Sequence, residues 1–330
     1  VLPPVVQPVL VVGDLMLDEY LIGRATRLSR EAPVPVLERT RRHVVPGGAA
    51  NPAVNIARLE GHAVAVGVIG DDPAGQELEH ALRTAGVNTD GLVVDPSRPT
   101  TTKTRILAEG SFVHGQHLAR IDYVDRRPLD GAVEAALLER LSRLAPGAGA
   151  VVVSNYRNGV VTDGLIAHCV ALRERCGLPL LVDSQGGLSR FRGFDLVKCN
   201  RAEAEAELGE PLRPAGEGRA AQLAALRTRC RAGAVVVTLG EEGIAWLDGE
   251  GYGEWPPPRR ATVFDVTGAG DTVMAVLALA LLAGLPLTRA CWLANVAAGL
   301  VLQVLGNYAP TRAELAAQAA LHAAEEPRCP

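Results

Sequence analysis

The heptapeptide Asp265-Val266-Thr267-Gly268-Ala269-Gly270-Asp271, with the apolar run Thr272 to Leu282 directly behind it, holds the residue types that a phosphoryl-transfer site needs. Glycines at 268 and 270 permit a tight turn, and the apolar run reads as a buried helix whose first amide N–H groups lack partners inside the helix. Those amides and the positive end of the helix dipole can hold an anion, so Gly268, Ala269 and Gly270 form a candidate anion hole. Asp271, at the same helix start, is placed to take a proton from an attacking hydroxyl. A glycine-rich turn before a core helix, with Asp271 as a cap, would leave the same pattern.

Positioning such a turn requires a rigid frame, and the chain supplies one. Short β-branched runs recur at Val9 to Val12, Val64 to Ile69, Val151 to Val153, Leu180 to Val182 and Val235 to Thr238. Helical patterns lie between them, such as the stripe Val133, Leu137, Leu138, Leu141 and Leu144. Continuous apolar strands alternating with helices predict an α/β fold with a doubly wound, mainly parallel sheet. Two segments, Asp18 to Val45 and Thr100 to Asp122, instead alternate polar and apolar residues, which predicts a small antiparallel β sheet beside the main body. One wet face and one apolar face would suit a lid, a contact with a second subunit, or both.

Composition narrows the partners. A net charge of −4 and a pI near 6.0 give no support for a nucleic-acid surface, so small molecules are the expected partners. The six cysteines, at 169, 176, 199, 230, 291 and 329, form no Cys-x-x-Cys pair, which fits reduced thiols in a cytoplasmic protein rather than a disulfide framework or zinc site. The stretch Val273 to Leu285 is too short to span a membrane, and the chain opens without a signal-like segment, so no membrane association is expected.

Further polar groups punctuate the strand ends. Asp14 follows the first strand, where doubly wound folds gather ligands, and could accept bonds from sugar hydroxyls or simply cap a loop. Gly47 and Gly48 permit close backbone approach before a helix that carries Asn51 and Asn55 on one face; unpaired amides there would be costly. Asn200 and Glu203, three apart at a helix start, could order waters around a magnesium ion or form a capping box. Thr238, Gly240 and Gly243 close another strand and could face a nucleotide. Lys103 and Arg105 share a face of the predicted lid and could hold a substrate phosphate, although a solvated sheet face is the commoner fate. Neither a Walker-type loop nor a convincing serine or cysteine triad is present; His114 and His117 belong to none.

Taken together, Gly47-Gly48-Ala49-Ala50-Asn51, Asn200-x-x-Glu203, Thr238-x-Gly240 and Asp265-x-Thr267-Gly268-Ala269-Gly270-Asp271 resemble the ribokinase-like (PfkB) family of carbohydrate kinases, in order and over nearly the whole chain. Val11 to Asp18, Ser29 to Val36, Thr102-Lys103-x-Arg105 and Arg120-Ile121-Asp122 resemble its heptose-7-phosphate kinase branch. The resemblance implies a single ribokinase-like domain over 1–330 with lid strands within 15–45 and 100–122, and ATP-dependent phosphorylation of the anomeric hydroxyl of D-glycero-β-D-manno-heptose 7-phosphate. It implies Asp271 as base, Gly268 to Gly270 as anion hole, and Asn200 and Glu203 near the ATP phosphates and Mg²⁺. Thr238, Gly240, Gly243 and Asn295 would line the nucleotide site. Asp14, Gly47, Gly48 and Asn51 would hold the sugar, with Lys103 and Arg105 near its phosphate. Asp265 and Thr267 stand where relatives place a monovalent cation, often K⁺, and a homodimer through the lid sheet is implied.

This chain departs from the branch at Asn155 and Asn158, where an aspartate and a lysine are usual, and at Ser184-Gln185, where proline-lysine is usual. Cys199 and Asn307 likewise replace a proline and a threonine. Loss of positive charge leaves open an unphosphorylated sugar or nucleoside as acceptor, or a non-catalytic ligand-binding protein on this fold. Bifunctional relatives continue into an adenylyltransferase domain, and ending at Pro330 the chain is expected to be kinase only.

Overall fold

Period-2 alternation within the interior strands decides the layering. In β1 (Val9–Gly13), Val9 and Val11 enter one core while Leu10 and Val12 enter the other, and all are fully buried. A strand with both faces apolar must be covered on both faces, which the intervening helices do. The computed structural model describes residues 2–109, 116–258, 266–304 and 307–322.

The chain continues through β2 (Leu15–Leu28), β3 (Pro35–Gly48), α1 (Ala50–Arg58), β4 (Ala63–Gly70), α2 (Pro73–Thr84) and β5 (Asn88–Asp95). Next come β6 (Thr102–Glu109), β7 (Gln116–Tyr123), α3 (Gly131–Leu144), β8 (Ala150–Asn155), α4 (Asp163–Cys176), β9 (Leu180–Ser184) and β10 (Leu196–Asn200). The last third holds α5 (Arg201–Leu208), α6 (Glu217–Cys230), β11 (Ala234–Thr238), β12 (Ile244–Leu247), β13 (Tyr252–Trp255), α7 (Ala269–Leu282), α8 (Leu287–Val301) and α9 (Arg312–Leu321).

Among the described residues the main sheet runs β13-β12-β11-β10-β9-β8-β1-β4-β5, parallel except for the edge pairs formed by β12 and β13. Helices α1, α7 and α8 cover one face and α3, α4 and α6 the other. Strand order reverses at β1, which lies between β4 and β8, so the crevice for a ligand opens beyond the carboxyl ends of β1 and β8. Helix α7 packs on one face of the sheet with its first turn at that crevice, and every residue from Asp271 to Ala280 is buried.

The second sheet, β3-β2-β6-β7, consists of two antiparallel pairs joined by parallel pairing of β2 with β6. Its outer strand β7 is exposed along its whole length, with Ile121 at 59% and Tyr123 at 64% of full exposure. Among the described residues no helix is long and apolar enough to cross a membrane.

Candidate active site

Five parallel strands end on the same rim, and each carries a polar residue at or next to its end: Asp14 after β1, Asn155 on β8, Asp183 on β9, Asn200 on β10 and Thr238 on β11. Above the rim α7 begins at Gly268, whose φ of +82° lies in the left-handed region that glycine adopts without strain. Asp271 occupies the third helical position.

The Asp271 carboxylate is 7% exposed and accepts two hydrogen bonds, from Asn51 Nδ2 at 2.7 Å and from the Tyr156 hydroxyl at 2.9 Å. The two amides on α1 thus find partners. Thr272 Oγ1 donates to Asn55 Oδ1 at 2.7 Å, Asn55 Nδ2 to Asn51 Oδ1 at 3.1 Å, and Asn51 to Asp271, a chain of fixed polarity ending on the carboxylate. Burial, and after it the nearby charge of Asp183, pushes the Asp271 carboxyl up to about 7, against the Asn51 bond, the Lys198 charge and the Tyr156 bond. A carboxylate poised there can accept a proton near neutral pH.

That balance makes a testable prediction. Removing the Tyr156 hydroxyl removes a donor that favours the ionised carboxylate, so the Asp271 pKa must rise. In Tyr156→Phe the acid limb of kcat/KM is expected near pH 8 instead of about 7, a shift of about one unit for one charge-assisted bond. An unmoved limb in a pH–rate profile would show that another group titrates.

Two cavities adjoin beside the start of α7. The larger, of about 610 Å³, collects Asn200, Thr238, Gly240, Gly243, Ala269, Gly270 and Asn295, with apolar walls from Ile244, Pro257, Val273 and Leu302. That size and apolar lining suit a planar, drug-sized ligand. Asn295 Nδ2 also donates to the Pro256 carbonyl at 2.6 Å, which fastens the proline connector into the wall. The smaller cavity, of about 250 Å³, is polar and is lined by Glu203, Gly268, Asp271, Asp183 and Tyr156. Lys198, Asn200, Val266 and Gly270 line both.

Asn200 and Glu203 form a complete capping box: Asn200 Oδ1 accepts from the Glu203 amide, and Glu203 Oε2 accepts from the Asn200 amide. Burial raises the Glu203 carboxyl above the usual carboxylate range. Among the described residues no three His, Cys, Asp or Glu side chains cluster closely enough to hold a metal by themselves.

On the acceptor side, Asp14 is 1% exposed and accepts from the amides of Tyr156 (2.7 Å), Asn158 (3.2 Å) and Val160 (3.1 Å). Burial still holds its carboxyl above the usual range. Asp14 therefore shapes the loop that carries Tyr156. Gly47 and Gly48 are buried, because side chains there would strike Asp18 and the Asp14 carbonyl, at 2.4 and 2.3 Å. Neither cavity is lined by Asp14, Gly47 or Gly48. Arg105 pairs with Asp18 at 2.7 Å, and Asn307 Nδ2 donates to the same carboxylate at 2.6 Å. Lys103 is half-buried with its ammonium 5.4 Å from the Tyr156 ring centre. Thr267 lies in the turn before α7; Asp265 and His114 lie outside the described residues.

Sequence reasoning missed Tyr156, Asp183 and Lys198. A signal existed for the last: a lysine inside the apolar run Leu196-Val197-Lys198-Cys199 of an interior strand must be paired to be tolerated. At the departures 155 and 184, Asn155 Nδ2 donates to Ser184 Oγ at 2.9 Å while its side-chain carbonyl accepts the Arg157 amide, and Asn155 also lines the smaller cavity.

A doubly wound sheet with a glycine-entered helix start that carries no side-chain cap, and a buried carboxylate in that helix's first turn beside the switch point, has the layout of the ribokinase-like class. The model of the pfkB family of carbohydrate kinases matches residues 6–314, and the chain belongs to that family. It is 41% identical over 315 residues to the bifunctional protein HldE of Trichlorobacter lovleyi, an alignment covering 94% of this chain and 62% of that protein. Among solved structures, phosphofructokinase-2 from Escherichia coli in complex with substrates and products superposes with a TM-score of 0.79 at 23% identity, over 96% of this chain and 99% of that one. Ribokinase from Arabidopsis thaliana complexed with ribose and ATP does so at 0.72 and 22%, over 95% and 99%. The chain is thus an ATP-dependent carbohydrate kinase by family.

Proposed function

We propose that the chain transfers the γ-phosphoryl group of ATP to the anomeric hydroxyl of D-glycero-β-D-manno-heptose 7-phosphate, giving the 1,7-bisphosphate. The observation that carries phosphoryl transfer is Asp271, buried at the amide-rich start of α7 in the wall of the polar cavity, with the nucleotide-sized cavity sharing Gly270 beside it. The acceptor identity rests on the likeness of Val11 to Asp18, Ser29 to Val36 and the Lys103 segment to heptose-7-phosphate kinases, together with the 41% identity to HldE.

In this reading Asp271 takes the acceptor proton, and the amides of Gly268, Ala269 and Gly270 receive the charge that spreads over the phosphoryl oxygens. Asn200, Thr238, Gly240, Gly243 and Asn295 seat the nucleotide. Asn51 orients the base, Asp14 with Gly47 and Gly48 shapes the sugar side, and Lys103, aided by Arg105, meets the 7-phosphate. A carboxylate in a polar cavity without a direct three-ligand cluster suits Mg²⁺ that arrives on the nucleotide and keeps its waters, with Glu203 as the residue that would hold them. Bound there, Mg²⁺ would neutralise phosphate charge. Thr267 and Asp265 are the candidates for a K⁺ site. The sheet of β2, β3, β6 and β7 would serve as a lid, and its exposed strand β7 would pair with a second copy to form a homodimer.

The pairing of Arg105 with Asp18 favours a second reading, an acceptor without a phosphate, because it leaves less free positive charge on that side. Magnesium-dependent ADP release with heptose 7-phosphate, fructose 6-phosphate, ribose, fructose and adenosine separates the two. We expect heptose 7-phosphate to exceed the others by at least about tenfold in kcat/KM, about 1.4 kcal/mol of discrimination. Turnover of only an unphosphorylated acceptor would select the second reading. Running the panel in potassium chloride and again in tetramethylammonium chloride reads the cation requirement.

A further inference from the structure

Lys198 has no role in the function as stated, yet it occupies the most consequential point of the site. Its side chain is 5% exposed in the interior strand β10, between the apolar residues Val197 and Cys199. Burying an ammonium is unfavourable, and a hydrocarbon side chain would fill such a place without difficulty. Asp183 stands at the paired position on β9, and its Oδ2 accepts from Lys198 Nζ at 2.6 Å. Burial alone would lower the lysine pKa, but the Asp183 charge and hydrogen bond reverse this and hold the ammonium protonated.

Geometry gives that charge a place in the reaction. A side-chain carbon on Gly270 would lie 2.9 Å from Lys198 Nζ, so the bare glycine lets the ammonium rest against the start of α7. Lys198 also lines both cavities, at the neck between the nucleotide-sized space and the space beside Asp271. A phosphoryl group passing from nucleotide to acceptor must cross that neck.

We propose that Lys198 is a catalytic residue whose ammonium turns from Asp183 to contact the transferring phosphoryl group, with Asp183 holding it ready beforehand. The inference rests on the kinase reading and adds a group to it. As the acceptor oxygen bonds to the γ-phosphorus, the bond to the bridging oxygen breaks and its electron pair leaves with ADP. The acceptor proton goes to Asp271; Lys198 donates hydrogen bonds to the equatorial oxygens and transfers no proton.

Lys198→Met alone strands the Asp183 charge beside Asp271, so the decisive variant is Lys198→Met with Asp183→Asn, which removes both charges and is expected to keep the wild-type melting temperature. Its kcat with the best acceptor should fall about 10²–10³-fold, as when one transition-state donor is lost. Binding of magnesium ADP should change less than threefold, whereas the preference for ADP with aluminium fluoride over ADP should drop about 100-fold. A folded double variant with kcat and that preference within threefold of wild type would overturn the proposal and leave a purely structural ion pair. The binding readout needs no sugar, so a wild type that turns over nothing in the panel yet shows the preference would fault only the acceptor assignment. A wild type that binds no nucleotide would remove both the kinase reading and the role of Lys198.

Discussion

Asp271→Asn is expected to lower kcat by about 10²–10⁴-fold, the range for losing a positioned general base, while nucleotide binding stays intact. In the proposed reaction the carboxylate contributes through proton acceptance, and the amide is isosteric but cannot take a proton. Its neighbours tolerate the change, because an amide oxygen can still accept from Asn51 while the amide nitrogen faces the Tyr156 oxygen. Turnover within tenfold of wild type would remove Asp271 as the base.

The same substitution has a stability signature of opposite sign. With its folded pKa raised from 3.8 to about 7, Asp271 binds its proton more tightly in the folded chain than in the unfolded one. Folding stability therefore declines as pH rises through that window, by up to about 4 kcal/mol for roughly three units. Asparagine lacks the titration, so the variant should melt above wild type at pH 8, with the gap closing toward pH 4. Thermal unfolding at several pH values checks this, and a variant less stable at pH 8 would contradict the assigned pKa direction.

Asp14→Ala should remove activity by a different route. Three buried amides, of Tyr156, Asn158 and Val160, would lose their acceptor together. At about 1 kcal/mol or more for each stranded donor, roughly 3 kcal/mol or more of stability should go with them. The loop they anchor carries the Tyr156 hydroxyl to Asp271, so kcat should fall along with the melting temperature. A side chain that only gripped the sugar would raise KM and leave the melting temperature unchanged. Asp14→Asn, which keeps one acceptor oxygen, should fall between the two, and denaturant unfolding beside steady-state kinetics separates these outcomes.

Much of this arrangement was legible along the chain because it depends on local order. A glycine-rich turn before an apolar helix presents unpaired helix-start amides that an anion can use, and continuous β-branched strands alternating with helices require a sheet covered on both faces. Asn200 with Glu203 was legible in the same way: a cap and its reciprocal carboxylate lie three residues apart, and the box forms as the spacing suggests. The amides at 51 and 55 showed that partners were needed but not which ones.

What pairs across the sheet was not legible. Lys198 meets Asp183 because β9 and β10 lie side by side in one register, and Tyr156 meets Asp271 across 115 residues of sequence. Asp14 is filled by amides from the loop after β8 because those two strands flank the point where strand order reverses. Turn formation, helix capping and apolar alternation act over a few residues, and so motif spacing and patterning along the chain pointed to the family, the layered fold and the helix start that carries Asp271. Burial and the pairing of distant charges arise only when the strands assemble, and so the folded chain alone assigned Asp14 to the loop, raised the Asp271 carboxyl and set a lysine at the neck of the site.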